Sequence, residues 1–322
     1  MKTALRPLAL ALCLGLAAPA LADFTPDQLV SIGESYLKNG QDQKAIDPLE
    51  QALALDPEHA RAHRLLGAAL TRLGESERAI AELTRAAALE PKHYQGQMLL
   101  GMAHDLAGDS TAAARTYQQA AKLEPDRPEA WHEWGMSLVL AGKAPAALEP
   151  LRKARAASKD RDPQILADLG YALNAAKKSG EAVKLLESVL GAHPKSAELR
   201  FVLGDARAAS GDHAGAVSAY EEALKRDREH WLAAYHLGLA HSKLGDHARA
   251  AEALERATRI RPEGPRPWLA LALAREKAGD LPGAVEAARK LESLAPGAEE
   301  PRKLIQRLEA ARAKTPEGSG TK

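Results

Sequence analysis

The chain has almost no cysteine. Its one thiol, Cys13, sits inside an apolar run near the N-terminus. Once residues 1–22 are removed the chain has none, which excludes disulfides, thiol catalysis and Cys-ligated zinc. Its stability must then come from packing alone. Cys13 also makes a poor lipid-attachment site, because bulky Leu12 precedes it and the apolar run before it is short.

Charge of one sign is lacking too. There are 44 Lys and Arg against 43 Asp and Glu. Removing residues 1–22 takes away Lys2 and Arg6 and no acid, which leaves the chain at −1. A balanced, interspersed charge gives no footprint for nucleic acid. Beyond residue 22 no stretch approaches the roughly 20 apolar residues of a membrane-spanning helix, so no integral membrane segment is expected in the mature chain.

Signatures of catalysis are missing as well. His132-Glu133 opens an H-E-x-x-H pattern, but Met136 stands where the second histidine must be. Gly142-Lys143 is followed by Ala144, with no glycine before it at phosphate-loop spacing. No G-x-S-x-G occurs. His59 with His63, and His236 with His241, are pairs without an evident third ligand, a weak metal signal. No catalytic residue, cofactor or metal site is assigned.

The N-terminus reads as a secretory signal peptide over residues 1–22. It combines the basic start at Lys2 and Arg6, an apolar run from Leu8 to Ala18, and Ala20-Leu21-Ala22 as an A-x-A site before Asp23. Cleavage between Ala22 and Asp23 is expected; retention as an anchor is the alternative. The implied compartment is the periplasm of a Gram-negative bacterium, with full secretion as the variant.

What the chain does have is a period. Gly33, Gly67, Gly101 and Gly135 are spaced by 34 residues; after one extra residue, so are Gly170, Gly204 and Gly238, and Ala272 fills the eighth slot. A fixed period of this length means one supersecondary element repeated. Eight repeats run from 26 to 298. Each holds two helical runs, and a second glycine follows the first by seven residues where the first helix should end; Lys177 replaces it in the fifth repeat. An alanine recurs on the second helix (Ala45, Ala79, Ala113, Ala147, Ala182, Ala216, Ala250, Ala284), and most repeats close on a proline such as Pro57, Pro91 or Pro125. Small residues at these facing positions let paired helices approach. Pro48 and Pro150 fall inside second helices and predict a local kink on the convex side. The polar stretch Ser158–Asp162 reads either as a slight hinge or as a tolerated insertion. Residues 299–313, with Leu304, Ile305, Leu308 and Ala311 at helical spacing, predict a capping helix, and 314–322 a disordered tail.

The pattern resembles the tetratricopeptide repeat: W-x2-L-G, then the small alanine, a large apolar residue (Leu49, Leu83, Tyr117, Leu151, Leu186, Tyr220, Leu254) and the closing proline. The resemblance covers 26–298. It implies an all-α fold, a right-handed superhelical solenoid of helix-turn-helix repeats, with a concave groove lined by positions 2, 5, 9, 12 and 13 of the first helices. Carried onto this chain, those positions give Met98, Met102, Leu106, His132, Met136, Val139, Leu140, Tyr171, Phe201, Tyr235 and Leu239 as groove residues. Flexible thioethers suit irregular apolar partners; the alternative is that these side chains pack between neighbouring first helices. Arg61, Arg64 and Arg72 make one end of the groove basic, and Lys243, Arg266 and Lys277 the other, either to steer an acidic partner or as an ordinary solvated face. A Lys-Asn pair at positions 5 and 9, which some family members use to hold a chaperone C-terminus, is absent.

The resemblance therefore implies a non-catalytic scaffold that binds a protein or peptide and assists a cell-envelope complex. A self-assembling structural protein (a homo-oligomer) and an accessory regulator of an envelope enzyme stand as alternatives.

Overall fold

The computed structural model describes residues 24–314. The leader with its Ala22–Asp23 junction, Cys13 and the tail beyond Lys314 lie outside the described residues. Those residues form 17 helices and no strand: an all-α helical solenoid. The chain divides into two compact units between Ser158 and Lys159, within the polar stretch that carries the extra residue. Lys159 and Asp160 both take left-handed backbone there (φ 54° and 57°).

The first unit contains α1 (Pro26–Lys38), α2 (Asp42–Leu55), α3 (Ala60–Leu73), α4 (Ser76–Leu89), α5 (Tyr94–Leu106), α6 (Ser110–Leu123), α7 (Pro128–Leu140) and α8 (Ala144–Ser158). The second contains α9 (Pro163–Ala175), α10 (Ser179–Leu190), α11 (Ala197–Ala209), α12 (His213–Arg226), α13 (Trp231–Leu244), α14 (His247–Ile260), α15 (Pro265–Ala278), α16 (Leu281–Leu294) and α17 (Glu299–Lys314). Within each unit every helix packs on the next, and first helices also touch between repeats one and two, two and three, and from five through eight.

The turn inside each repeat explains the second glycine. Seven such glycines, Gly142 among them, have φ between 68° and 89°, and the chain reverses within two or three residues. Lys177 adopts the same left-handed backbone at φ 60°, so the fifth repeat keeps the turn without the residue that makes it easy. An aspartate often follows and caps the second helix. Asp109, Asp212, Asp246 and Asp280 each accept the N–H three residues on, at 2.8–3.3 Å.

The first glycine explains how the two helices meet. A Cβ on Gly33, Gly67, Gly101 or Gly135 would fall within 3.0 Å of the large apolar side chain of the paired second helix: Leu49, Leu83, Tyr117 and Leu151 in turn. Those four side chains are buried, each worth about 1.5–3 kcal/mol where aliphatic. Gly204 meets Tyr220 and Gly238 meets Leu254 in the same way. In the eighth repeat Ala272 replaces the glycine, and at the register of the large residue stands Ala288; both are fully buried. The methyl gained on one helix is matched by bulk lost on the other.

A second device joins the first helix to the turn before it in repeats two, three, four and eight. There the side chain four residues ahead of the glycine slot reaches the carbonyl of the preceding closing proline. Trp131 Nε1–H donates to Pro125 O at 2.9 Å, Trp268 Nε1–H to Pro262 O at 2.8 Å and Gln97 Nε2–H to Pro91 O at 3.3 Å, while His63 Nε2 lies 3.0 Å from Pro57 O. The indole of the repeat signature is thus a donor as well as bulk.

α2 and α8 run unbroken through Pro48 and Pro150, and both rings are buried. α17 lays Leu304 and Leu308 into the cluster formed with α15 and α16, with Ile305 partly buried against it.

Candidate partner-binding faces

In the first unit, α5 and α7 carry seven of the groove residues expected from sequence. Met102, Leu106 and Leu140 are exposed, at 47%, 50% and 70%. His132, Met136 and Val139 are half-buried, and Met98 is buried. Met102, Leu106 and Leu140 thus stay exposed on the two helices, whereas Met98 is buried.

The same two helices take part in a polar network that pattern reading missed. Ser137 Oγ–H donates to Asp105 at 3.2 Å, and the Tyr117 hydroxyl also bonds this carboxylate. Burial pushes the Asp105 carboxyl up, opposed by the Tyr117 and Ser137 hydrogen bonds. Burial, reinforced by the Asp105 charge, pushes the Tyr117 phenol up. The signal was present: in repeats three and six a tyrosine takes the leucine slot, and a buried hydroxyl needs a partner. In repeat six Tyr220 O–H donates to Asp205 at 2.7 Å, and His236 Nδ1 lies 2.6 Å from the same oxygen.

The cations expected to make a basic end in this unit are paired. Arg61 meets Glu34 at 2.5 Å, Arg72 meets Asp42 at 3.0 Å, and Arg64 pairs with Glu90. Lys38 and Arg61 together hold the Glu34 carboxyl below its ordinary range, the Lys38 hydrogen bond contributing most. The histidines of the i, i+4 pair serve different ends. His59 accepts from Ala62 N–H at 3.3 Å and faces Asp27 at 3.1 Å, and His63 faces Glu82 at 2.6 Å.

The second unit places Tyr171 on α9, half exposed, and Phe201 on α11, buried against the rings of His230, His236 and Tyr220 at 4.8, 5.3 and 6.1 Å. Tyr235 and Leu239 are brought together. With Leu269 and Leu273 they floor an open depression of about 340 Å³ between α13 and α15, edged by Ser242, Arg266 and Lys277. Among the described residues no group of three or more His, Cys, Asp or Glu could hold a metal ion, and no helix is long and apolar enough to cross a membrane.

These faces can bury apolar side chains of a partner. A family model of the tetratricopeptide repeat matches seven overlapping segments: 30–93, 69–128, 98–163, 132–197, 167–228, 201–265 and 235–299. No curated protein matches the sequence. Among solved structures, the chain is similar to Cut9 in the APC/C hetero-tetramer Cut9–Hcn1, with TM-score 0.56 and 17% identity over 88% of this chain and 55% of that one. It is also similar to yeast Tom70, with TM-score 0.57 and 17% identity over 90% of this chain and 65% of that one. It thus spans under two thirds of either relative, and the likeness is one of fold.

Proposed function

We propose, because this chain belongs to the tetratricopeptide-repeat family, that it is a non-catalytic scaffold which docks a protein or peptide on the exposed faces of its first helices. The observation that carries this reading is the exposure of the apolar side chains Met102, Leu106 and Leu140 on α5 and α7. Side chains of that size stay in water at a cost of about 25 cal/mol per Å² of apolar surface, recovered when a partner covers them. The place of action is the cell envelope. Lys2, Arg6, the apolar run and Ala20-Leu21-Ala22 support export with removal of residues 1–22, and a scaffold delivered there would assist an envelope complex.

The test is a crosslinked pull-down from envelope extract, comparing the mature chain with a Met102→Glu, Leu140→Glu variant. Both positions are exposed, so the fold should survive, as circular dichroism would check. A protein captured by the first and lost by the second is the expected result. Equal capture by both removes α5 and α7 from the interface. The intact mass of protein recovered from the envelope tests export separately: a chain beginning at Asp23 supports it, and a full-length chain sinks the cleavage.

A further inference from the structure

The depression between α13 and α15 is bounded by two cations that have no ion-pair partner among the described residues. Its leucines, Leu239, Leu269 and Leu273, are 38–43% exposed. Arg266 stands near the start of α15 and Lys277 near its end; both are exposed and both line the depression. Among the described residues neither has a carboxylate in ion-pair contact. Their neighbours on α15 do: Arg275 meets Glu255 at 3.1 Å, and Glu276 meets Arg307 at 2.6 Å. Glu276 is therefore already used and no acid lines this depression, so the row presents two leucines between two cations that have no ion-pair partner among the described residues. Eleven residues separate Arg266 from Lys277, about 16 Å along a helix at 1.5 Å per residue.

We propose that this depression binds a partner segment of the order acid–apolar–acid: an extended stretch whose two side-chain carboxylates, four or six residues apart, flank apolar side chains. An extended chain advances about 3.3 Å per residue, so that spacing spans roughly 13–20 Å and brackets the separation of the cations. Alternate side chains face one way, so the acids and the apolar residues between them point together at α15. A lysine-ended segment would meet like charge at both ends. A neutral segment would cover both cations and leave them unpaired, which opposes binding. A single terminal carboxylate reaches one cation and not both. This inference rests on the reading of the first-helix faces as docking surfaces, and names the chemistry that one of them takes.

The test titrates the mature chain calorimetrically, at low salt, with the acetylated and amidated peptide Asp-Ser-Leu-Ser-Leu-Ser-Glu. The same peptide with Lys at both ends, and with Ser at both ends, are the controls. The acid-ended peptide should bind at least ten-fold more tightly than the serine-ended one, and the lysine-ended one should give no heat. An Arg266→Glu, Lys277→Glu variant should reverse that order, and Leu273→Ser should weaken binding of the acid-ended peptide at least ten-fold. Equal affinity for all three peptides overturns the inference. So does silence from the acid-ended peptide up to millimolar concentration, or an acid preference that survives charge reversal. A heat of dilution lost in Leu273→Ser, with no preference among peptides, would assign the face to a second copy of the chain and overturn it too. The broader reading fails separately. If no acid-ended peptide binds but capture still depends on Met102 and Leu140, only this inference falls; if capture ignores both faces, the docking reading falls.

Discussion

The two compact units share one period and keep it unequally. In the first, all four repeats bring the glycine against the large side chain closely enough that a Cβ would fall within 3.0 Å of it, and every turn inside a repeat is made by glycine. The second unit opens with Gly170, where the nearest atoms of Leu186 and Val202 would lie 3.1 Å from a Cβ. It turns its first repeat on Lys177 and ends with the reciprocal alanines Ala272 and Ala288. Their exposed faces differ as well. The first unit pairs off Arg61, Arg64 and Arg72, while in the second Arg266 and Lys277 have no ion-pair partner among the described residues and stand beside its leucines. The period sets where helices start, turn and meet, and leaves the chemistry of each face to the individual repeat.

The largest test of that difference is at the helix contact. Gly101→Ala should cost about 1–3 kcal/mol, because its methyl must displace the Tyr117 ring. Gly170→Ala should cost clearly less, since Leu186 and Val202 need yield only a few tenths of an ångström. Urea midpoints of the two variants decide it, and equal losses would mean that the looser packing at Gly170 has no energetic weight.

The turns give a smaller effect of opposite sign in the two units. Gly142→Ala should destabilise the chain by about 1 kcal/mol, because φ 73° crowds a Cβ. Lys177→Gly should stabilise it by a similar amount, relieving the same conformation at φ 60°. Melting temperatures moving in opposite directions are expected; a Lys177→Gly variant that melts no higher would show that lysine bears no strain there.

Smallest is a pH effect confined to the first unit. Burial holds the Asp105 carboxyl above its ordinary value of 3.8, so the folded chain keeps that proton more tightly than the unfolded chain. The contribution to stability is therefore complete below the unfolded pKa and is lost as pH rises through the folded one. Asp105→Asn should flatten that part of the stability profile as pH rises above the ordinary Asp value of 3.8. Denaturation midpoints across this range are the measurement, and an unchanged slope would exclude Asp105 as its source.

Most of the fold was legible because its determinants are local. Glycine tolerates left-handed backbone, proline stops a helix, and a repeated small residue marks a close contact wherever the period brings it. The faces were legible only in part. First-helix positions selected Met98 and Met102 alike, and Phe201 alongside Tyr171, yet one of each pair is buried and the other exposed. Nothing in a single repeat distinguishes them, because what covers a side chain belongs to a neighbouring helix. The same holds for the arginines. Arg61 and Arg266 occupy the same position in their repeats, but only Arg61 has an acid across from it, Glu34, 27 residues earlier.

The sequence by itself determined the period, the helix pairs and their turns, since each follows from backbone sterics and volume within about 34 residues. Only the tertiary structure decided which apolar side chains stay uncovered and which cations stay unpaired, because burial and ion pairing depend on side chains that meet across separate helices.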